Sequence, residues 1–94
     1  MTNSPAAWTL VLGRTAEKTL ERMSPKDERL VREALEAMRA DPRSGDVVPL
    51  TAQPASFRRR AGNWRIFFDL YPERFVVEVV DIVRRSTTTY RRRR

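Results

Sequence analysis

The stretch WRIFFDLY, residues 64–71, most constrains the fold. Trp64, Ile66, Phe68 and Leu70 recur at every second position, the signature of a strand with one apolar face. Such a face has to be covered by a second layer. The flanking sequence supplies partners for the strand. SFRRR ends at Gly62-Asn63, a pair that tolerates positive φ, and Pro72 sits in a favourable turn position of YPER ahead of FVVEVVDIV. The three runs predict an antiparallel meander.

The cover lies upstream. AWTLVLG (7–13) reads as a short strand stopped by Gly13, and TAEKTLERM places Ala16, Leu20 and Met23 at helical spacing. In SPKDERLVREALEAMRADP, Ser24 is a good N-cap, Pro25 suits the first helical position, and Asp27 and Glu28 favour the positive end of the helix dipole. Leu30, Val31, Ala34, Leu35 and Met38 form one stripe, and Asp41-Pro42 ends the helix. RSGDVVPLTAQPA, with two prolines and a glycine, reads as loop. The order is therefore β-α-α-β-β-β: class α+β, an antiparallel four-stranded sheet with a helical hairpin packed on one face. One domain over 1–94 is expected, with 91–94 as a basic C-terminal tail.

Ninety-four residues lie near the lower size at which a core stabilises a chain unaided. The chain has no cysteine and no histidine. That excludes disulfides, thiolate metal sites and the commonest general base. No metal or other cofactor is expected. No apolar run reaches transmembrane length, and MTNSPAAW lacks a signal-peptide pattern, so a soluble cytoplasmic protein without membrane contact is expected.

Charge is unevenly distributed. Residues 1–55 hold eight basic and eight acidic side chains, whereas residues 56–94 hold eleven arginines against Asp69, Glu73, Glu78 and Asp81. The whole net charge of +7 thus sits in the second part, carried by arginine, whose planar fork of donors suits phosphate. Alternation puts Arg58 and Arg60 on one face, with Phe57 and Arg59 opposite. It sets Arg65 against the face of Trp64, and Arg84 on the face of Ile82, Val80 and Val76. If Arg58 and Arg60 share the face of Arg65, four guanidinium groups converge on the exposed side of the sheet. The alternative is a scatter of solvated arginines paired with Asp69, Glu78 and Asp81.

The element order, the loop DP.SGD..PL, RRRAGNWRIFF, VVEVVDIVRR and a tyrosine six residues after Arg84 together resemble the RelE/ParE toxin superfamily over roughly residues 7–90. The resemblance implies the toxin of a bacterial type II toxin–antitoxin pair. RelE-like members are ribosome-dependent endoribonucleases that cut mRNA without metal; ParE-like members act on DNA gyrase and generally lack the catalytic set. Arg65 in GNWR matches the family's catalytic strand arginine, Arg84 its partner near the end of the last strand, and Tyr90 the terminal tyrosine. Arg58 and Arg60 fall at basic positions of the RelE pattern, whereas Ser56 stands where a lysine often does. The implied partners are a small acidic antitoxin, as a heterotetramer with it, and the ribosome with its mRNA.

Cleavage of this kind needs in-line attack by a ribose 2′-OH, removal of its proton, support of the leaving 5′-oxygen and neutralisation of the phosphorane. A free tyrosine, with a pKa of about 10, is too weakly acidic to serve as a base at neutral pH, and positive neighbours favour its phenolate. Tyr90 follows Arg84 and Arg85 and precedes Arg91. On this reading Tyr90 is the general base or a base-stacking group, Arg65 and Arg58 stabilise the phosphate, and Arg84 steadies the leaving oxygen. Arg59, Arg60 and Arg85 would add RNA contacts. The competing readings are a gyrase-directed toxin and a basic module that binds RNA or protein without turnover.

Overall fold

A computed structural model describes residues 7–51 and 55–85. The elements run β1 (Thr9–Leu12), α1 (Arg14–Glu21), α2 (Pro25–Ala40), β2 (Val47–Pro49), β3 (Phe57–Ala61), β4 (Trp64–Tyr71), a 3-10 turn (Pro72–Arg74) and β5 (Val76–Arg84). They form an α+β fold with one five-stranded sheet of order β1-β5-β4-β3-β2.

Two features of this sheet correct the sequence reading. First, it has five strands. Val47 and Val48 pair antiparallel with Arg59 and Arg58 inside the segment read as loop. The β-branched pair favours extension, and Pro49, which has no N–H to donate, is tolerated because β2 lies at the sheet edge. Second, the sheet is mixed, because β1 pairs parallel to β5, Thr9 with Val76 through Leu12 with Val79. The helical hairpin carries the chain from the β1 edge to the β2 edge, and the meander returns strand by strand until β5 meets β1.

Local chemistry explains the helices. Ser24 Oγ accepts a hydrogen bond from the Asp27 N–H at 3.2 Å, and Pro25 opens α2. Val31, Ala34, Leu35 and Met38 are buried along α2, as are Ala16 and Leu20 of α1. Leu30 departs from the expected stripe: it is 40% exposed. Its Cδ2 lies 2.5 Å from where a Cβ on Gly62 would sit, so its tip packs on the β3–β4 turn. The helices cover one face of the sheet, against Ala61, Trp64, Ile66, Phe68, Val77, Val79 and Ile82. No described element covers the other face.

The turn at Gly62-Asn63 forms as expected, with the positive φ of 61° at Gly62. At the far end of the meander Phe75 takes a left-handed conformation, φ 53°, and its ring meets Trp8 edge-on at 5.1 Å. Between Phe67 and Phe68 the β4–β5 register shifts: Phe67 faces Asp81, but Phe68 faces Val79. Val80 is the extra residue of a bulge. Consequently Val77 and Val79 are buried before it and Ile82 after it. Val80 and Val76 therefore do not share the face of Ile82, as uninterrupted alternation required.

Candidate functional site

The ladder pairings place five of the seven described arginines of the second part, Arg58, Arg59, Arg60, Arg65 and Arg84. Arg60 faces Arg65, which faces Val83, and Arg58 faces Phe67, which faces Asp81. Directly opposed residues point to the same side. Arg58, Arg60 and Arg65 therefore share the open face, the condition that the alternation alone left open. Arg60 and Arg65 are directly opposed like charges, an arrangement unfavourable in itself that an anion relieves. Arg60 Nε lies 3.6 Å from Asp46 Oδ2, a surface pair of little strength. Among the described residues, the side chains of Arg58 and Arg65 have no hydrogen-bond or carboxylate partner. Both are half-buried, with their stems along apolar neighbours and their heads outward.

Arg84 does not join them. It faces Trp64, whose row belongs to the helix side. Its guanidinium lies over the Trp64 ring at 5.4 Å and 3.6 Å from Asp27 Oδ2 at the start of α2. The expected convergence of four guanidinium groups is corrected to three, because Arg84 is one residue beyond Val83 on a strand of period two. Arg59 also points to the helix side, opposite Ile66. Its Nη1 donates to the Ser44 carbonyl at 2.6 Å and to Ser44 Oγ at 3.3 Å. It clamps the α2–β2 loop, and that role leaves it turned away from the open face. The backbone N–H of Arg85 donates to the Asn63 carbonyl, which fixes the end of β5 to the β3–β4 turn. Tyr90 and Arg91–Arg94 lie outside the described residues.

The same face carries a second charged region, the carboxylates that the alternative of scattered arginines took as counter-ions. Asp69 and Glu78 are directly opposed, and Asp81 lies on the same side beyond the bulge. None of the three pairs with a described arginine. Asp69 Oδ1 accepts from the Ser56 N–H at 2.7 Å, and Asp81 Oδ1 from the Ile82 N–H at 2.8 Å. Tyr71 Oη donates to Glu78 Oε1 at 3.1 Å. This hydrogen bond, reinforced by the Glu78 and Asp69 charges, raises the Tyr71 phenol above its ordinary value. The open face is thus polarised, basic toward the Gly62-Asn63 turn and acidic toward the Pro72–Arg74 turn. Strand parity could have found this pattern for β4, but its extension across β5 depends on the bulge.

Neither a protein-family model nor a curated protein sequence matches the chain. Solved structures do. The toxin–antitoxin complex RelBE2 from Mycobacterium tuberculosis has a chain that matches at 22% identity, with 85% of this chain and 100% of that one covered and a TM-score of 0.74. The archaeal RelE–RelB complex from Pyrococcus horikoshii OT3 matches at 16% identity, covering 86% and 98%, with a TM-score of 0.73. The isolated E. coli RelE toxin matches at 16% identity, covering 92% and 98%, with a TM-score of 0.70. The chain therefore has a RelE-like fold, in agreement with the resemblance read from its sequence.

Proposed function

We propose that this protein is the toxin of a type II toxin–antitoxin pair and that it cleaves ribosome-bound mRNA by 2′-OH attack, with no metal taking part. The observation that carries the proposal is the trio Arg58, Arg60 and Arg65 on the open face. Three guanidinium groups, two of them with no described partner, suit a phosphodiester whose charge grows toward the phosphorane. Arg65 and Arg58 stabilise that charge, Arg60 and Arg85 hold the flanking backbone, and Tyr90 accepts the 2′-OH proton or stacks on a base. The fold neighbours include RelB–RelE complexes, which supports a small acidic antitoxin as partner in a heterotetramer. Such a partner and the ribosome meet in the cytoplasm, and no helix among the described residues is long and apolar enough to cross a membrane.

The position of Arg84 favours a second reading. Lying on the helix side, over Trp64 and beside Asp27, it is not placed to support a leaving oxygen beside Arg65. A toxin that binds DNA gyrase, or a basic module without turnover, needs no such placement. Translation-coupled mRNA cleavage decides between them. Wild type should cut mRNA on ribosomes, while Arg65→Ala and Tyr90→Phe should each lose about 100-fold or more, the scale of one transition-state donor or base. Absence of cleavage by wild type, with inhibition of gyrase supercoiling in parallel, would reverse the assignment.

A further inference from the structure

Three of the four phenylalanines meet another ring. Phe57 stacks on Phe68 at 5.5 Å, and Phe75 meets Trp8 edge-on. Phe67 is the exception. Among the described residues its ring pairs with no other ring and lies under no guanidinium. Nor does it belong to the core or to the apolar side chains packed against it. It is half-buried in the middle of the open face, in the row of Val48, Arg58 and Asp81. A ring this large contributes most when its area leaves water, and on this face no described element covers it.

The neighbours of the ring select the occupant. Arg58 stands directly opposite on β3 and Asp81 directly opposite on β5, at Cβ separations of about 5 Å. Arg65 lies two residues back along β4 on the same side, roughly 7 Å away. The guanidinium groups of Arg58 and Arg65 have no described partner. A flat apolar surface bordered on two sides by unpaired guanidinium groups fits flat rings carried on a polyanionic chain. We infer that Phe67 is the stacking platform for one unpaired base of single-stranded RNA, whose flanking phosphates lie on Arg58 and Arg65. Every base has a π-face, so this contact tolerates sequence. Asp81 repels phosphate, so the backbone passes on the β3 side of the ring, where the arginine trio stands, and not over β5. The inference deepens the proposed function and rests on its reading of the open face as the RNA surface. It adds to that surface a residue that acts without charge.

The probe is a short single-stranded RNA with 2′-O-methyl riboses, which lacks the attacking hydroxyl, so that affinity is read without cleavage. Its comparison is the same ribose–phosphate chain with every base removed. The full-length wild type should prefer the intact strand. Phe67→Leu keeps an apolar side chain on β4 but has no π-face. It should bind the intact strand about tenfold more weakly, the scale of one base–aromatic stack, and bind the abasic chain as wild type does. Phe67→Tyr keeps the ring and should keep the preference. The loss from Phe67→Leu should be the same at about 50 and 200 mM salt, whereas the loss from Arg58→Ala should shrink as salt rises. Partial unfolding would weaken both strands alike, so the ratio of affinities separates it from lost stacking. A wild type without preference for the intact strand, or a preference that Phe67→Leu leaves unchanged, overturns the platform and leaves the ring as a contact for a protein partner. Cleavage on ribosomes without the Phe67-dependent preference removes the platform alone. That preference without cleavage removes the nuclease reading alone.

Discussion

Arg58, Arg59 and Arg60 are chemically identical, yet the sheet gives the middle one a different task. Its guanidinium fills the space beside Gly45, where an added Cβ would come within 2.7 Å of the Arg59 Cζ. Gly45 also has a φ of +80°. Gly45→Ala should cost about 1–2 kcal/mol from the backbone conformation alone, and more because the clamp must shift. Urea denaturation of that variant measures it. Arg59→Ala should also destabilise, by about 1–2 kcal/mol for the lost charged hydrogen bond. Any loss of RNA binding should follow the unfolded fraction and not appear as a separate defect. Tyr71 offers a test by pH. Because Glu78 raises its pKa, the neutral phenol is the form the fold favours. The associated stability is present below the unfolded value of about 10 and is lost as pH rises through the folded value. Ultraviolet titration should show Tyr71 ionising later than a free tyrosine, and Glu78→Gln should move it back down.

Among the elements, α1, α2 and the meander were legible because each carries a periodic apolar pattern with recognisable ends. Ser24-Pro25 and Asp41 bound α2 as read, and Gly62-Asn63 makes the hairpin turn. The three-residue strand β2 was not legible, since two valines before a proline give no alternation to detect. Nor was the bulge, because VVEVVDIV has apolar residues in both phases, and sequence alone does not say where the phase changes. That bulge separated Val80 from Ile82. The tight β3–β4 turn yields a prediction in which two effects compete. Gly62→Ala faces both a φ of +61° and the Leu30 Cδ2 at 2.5 Å from the added Cβ. Leu30 is 40% exposed and can turn its tip aside, so the backbone term of about 1–2 kcal/mol should dominate. A double-mutant cycle with Leu30→Ala should recover less than half of the loss. Recovery of most of it would mean that the side-chain clash, not the φ, sets the cost.

For the whole molecule, net charge says less than its arrangement. A value of +7 implies general affinity for polyanions, whereas the ladder pairings divide one sheet face into a basic and an acidic half. The sequence reading put Arg58, Arg60 and Arg65 together only on condition of register, because alternation within a strand does not say how two strands pair; the β3–β4 pairing of Arg60 with Arg65 meets that condition. That reading added Arg84 because the register between β4 and β5, and hence which row Arg84 joins, is a property of long-range pairing. Salt dependence can distinguish arginines that meet phosphate from those that do not. Each phosphate contact with a single strand contributes about 0.7 to the slope of log K against log salt. Replacing Arg58, Arg60 and Arg65 together by alanine should therefore lower the slope for single-stranded RNA by about 2. Arg84→Ala should leave it nearly unchanged, because that guanidinium lies on the helix side, over Trp64 and beside Asp27. If Arg84→Ala instead lowers the slope by a full contact, the guanidinium leaves Asp27 when RNA binds, and the helix-side pair is a resting position. If the triple variant keeps the slope, RNA approaches from elsewhere and the open face is not its binding surface.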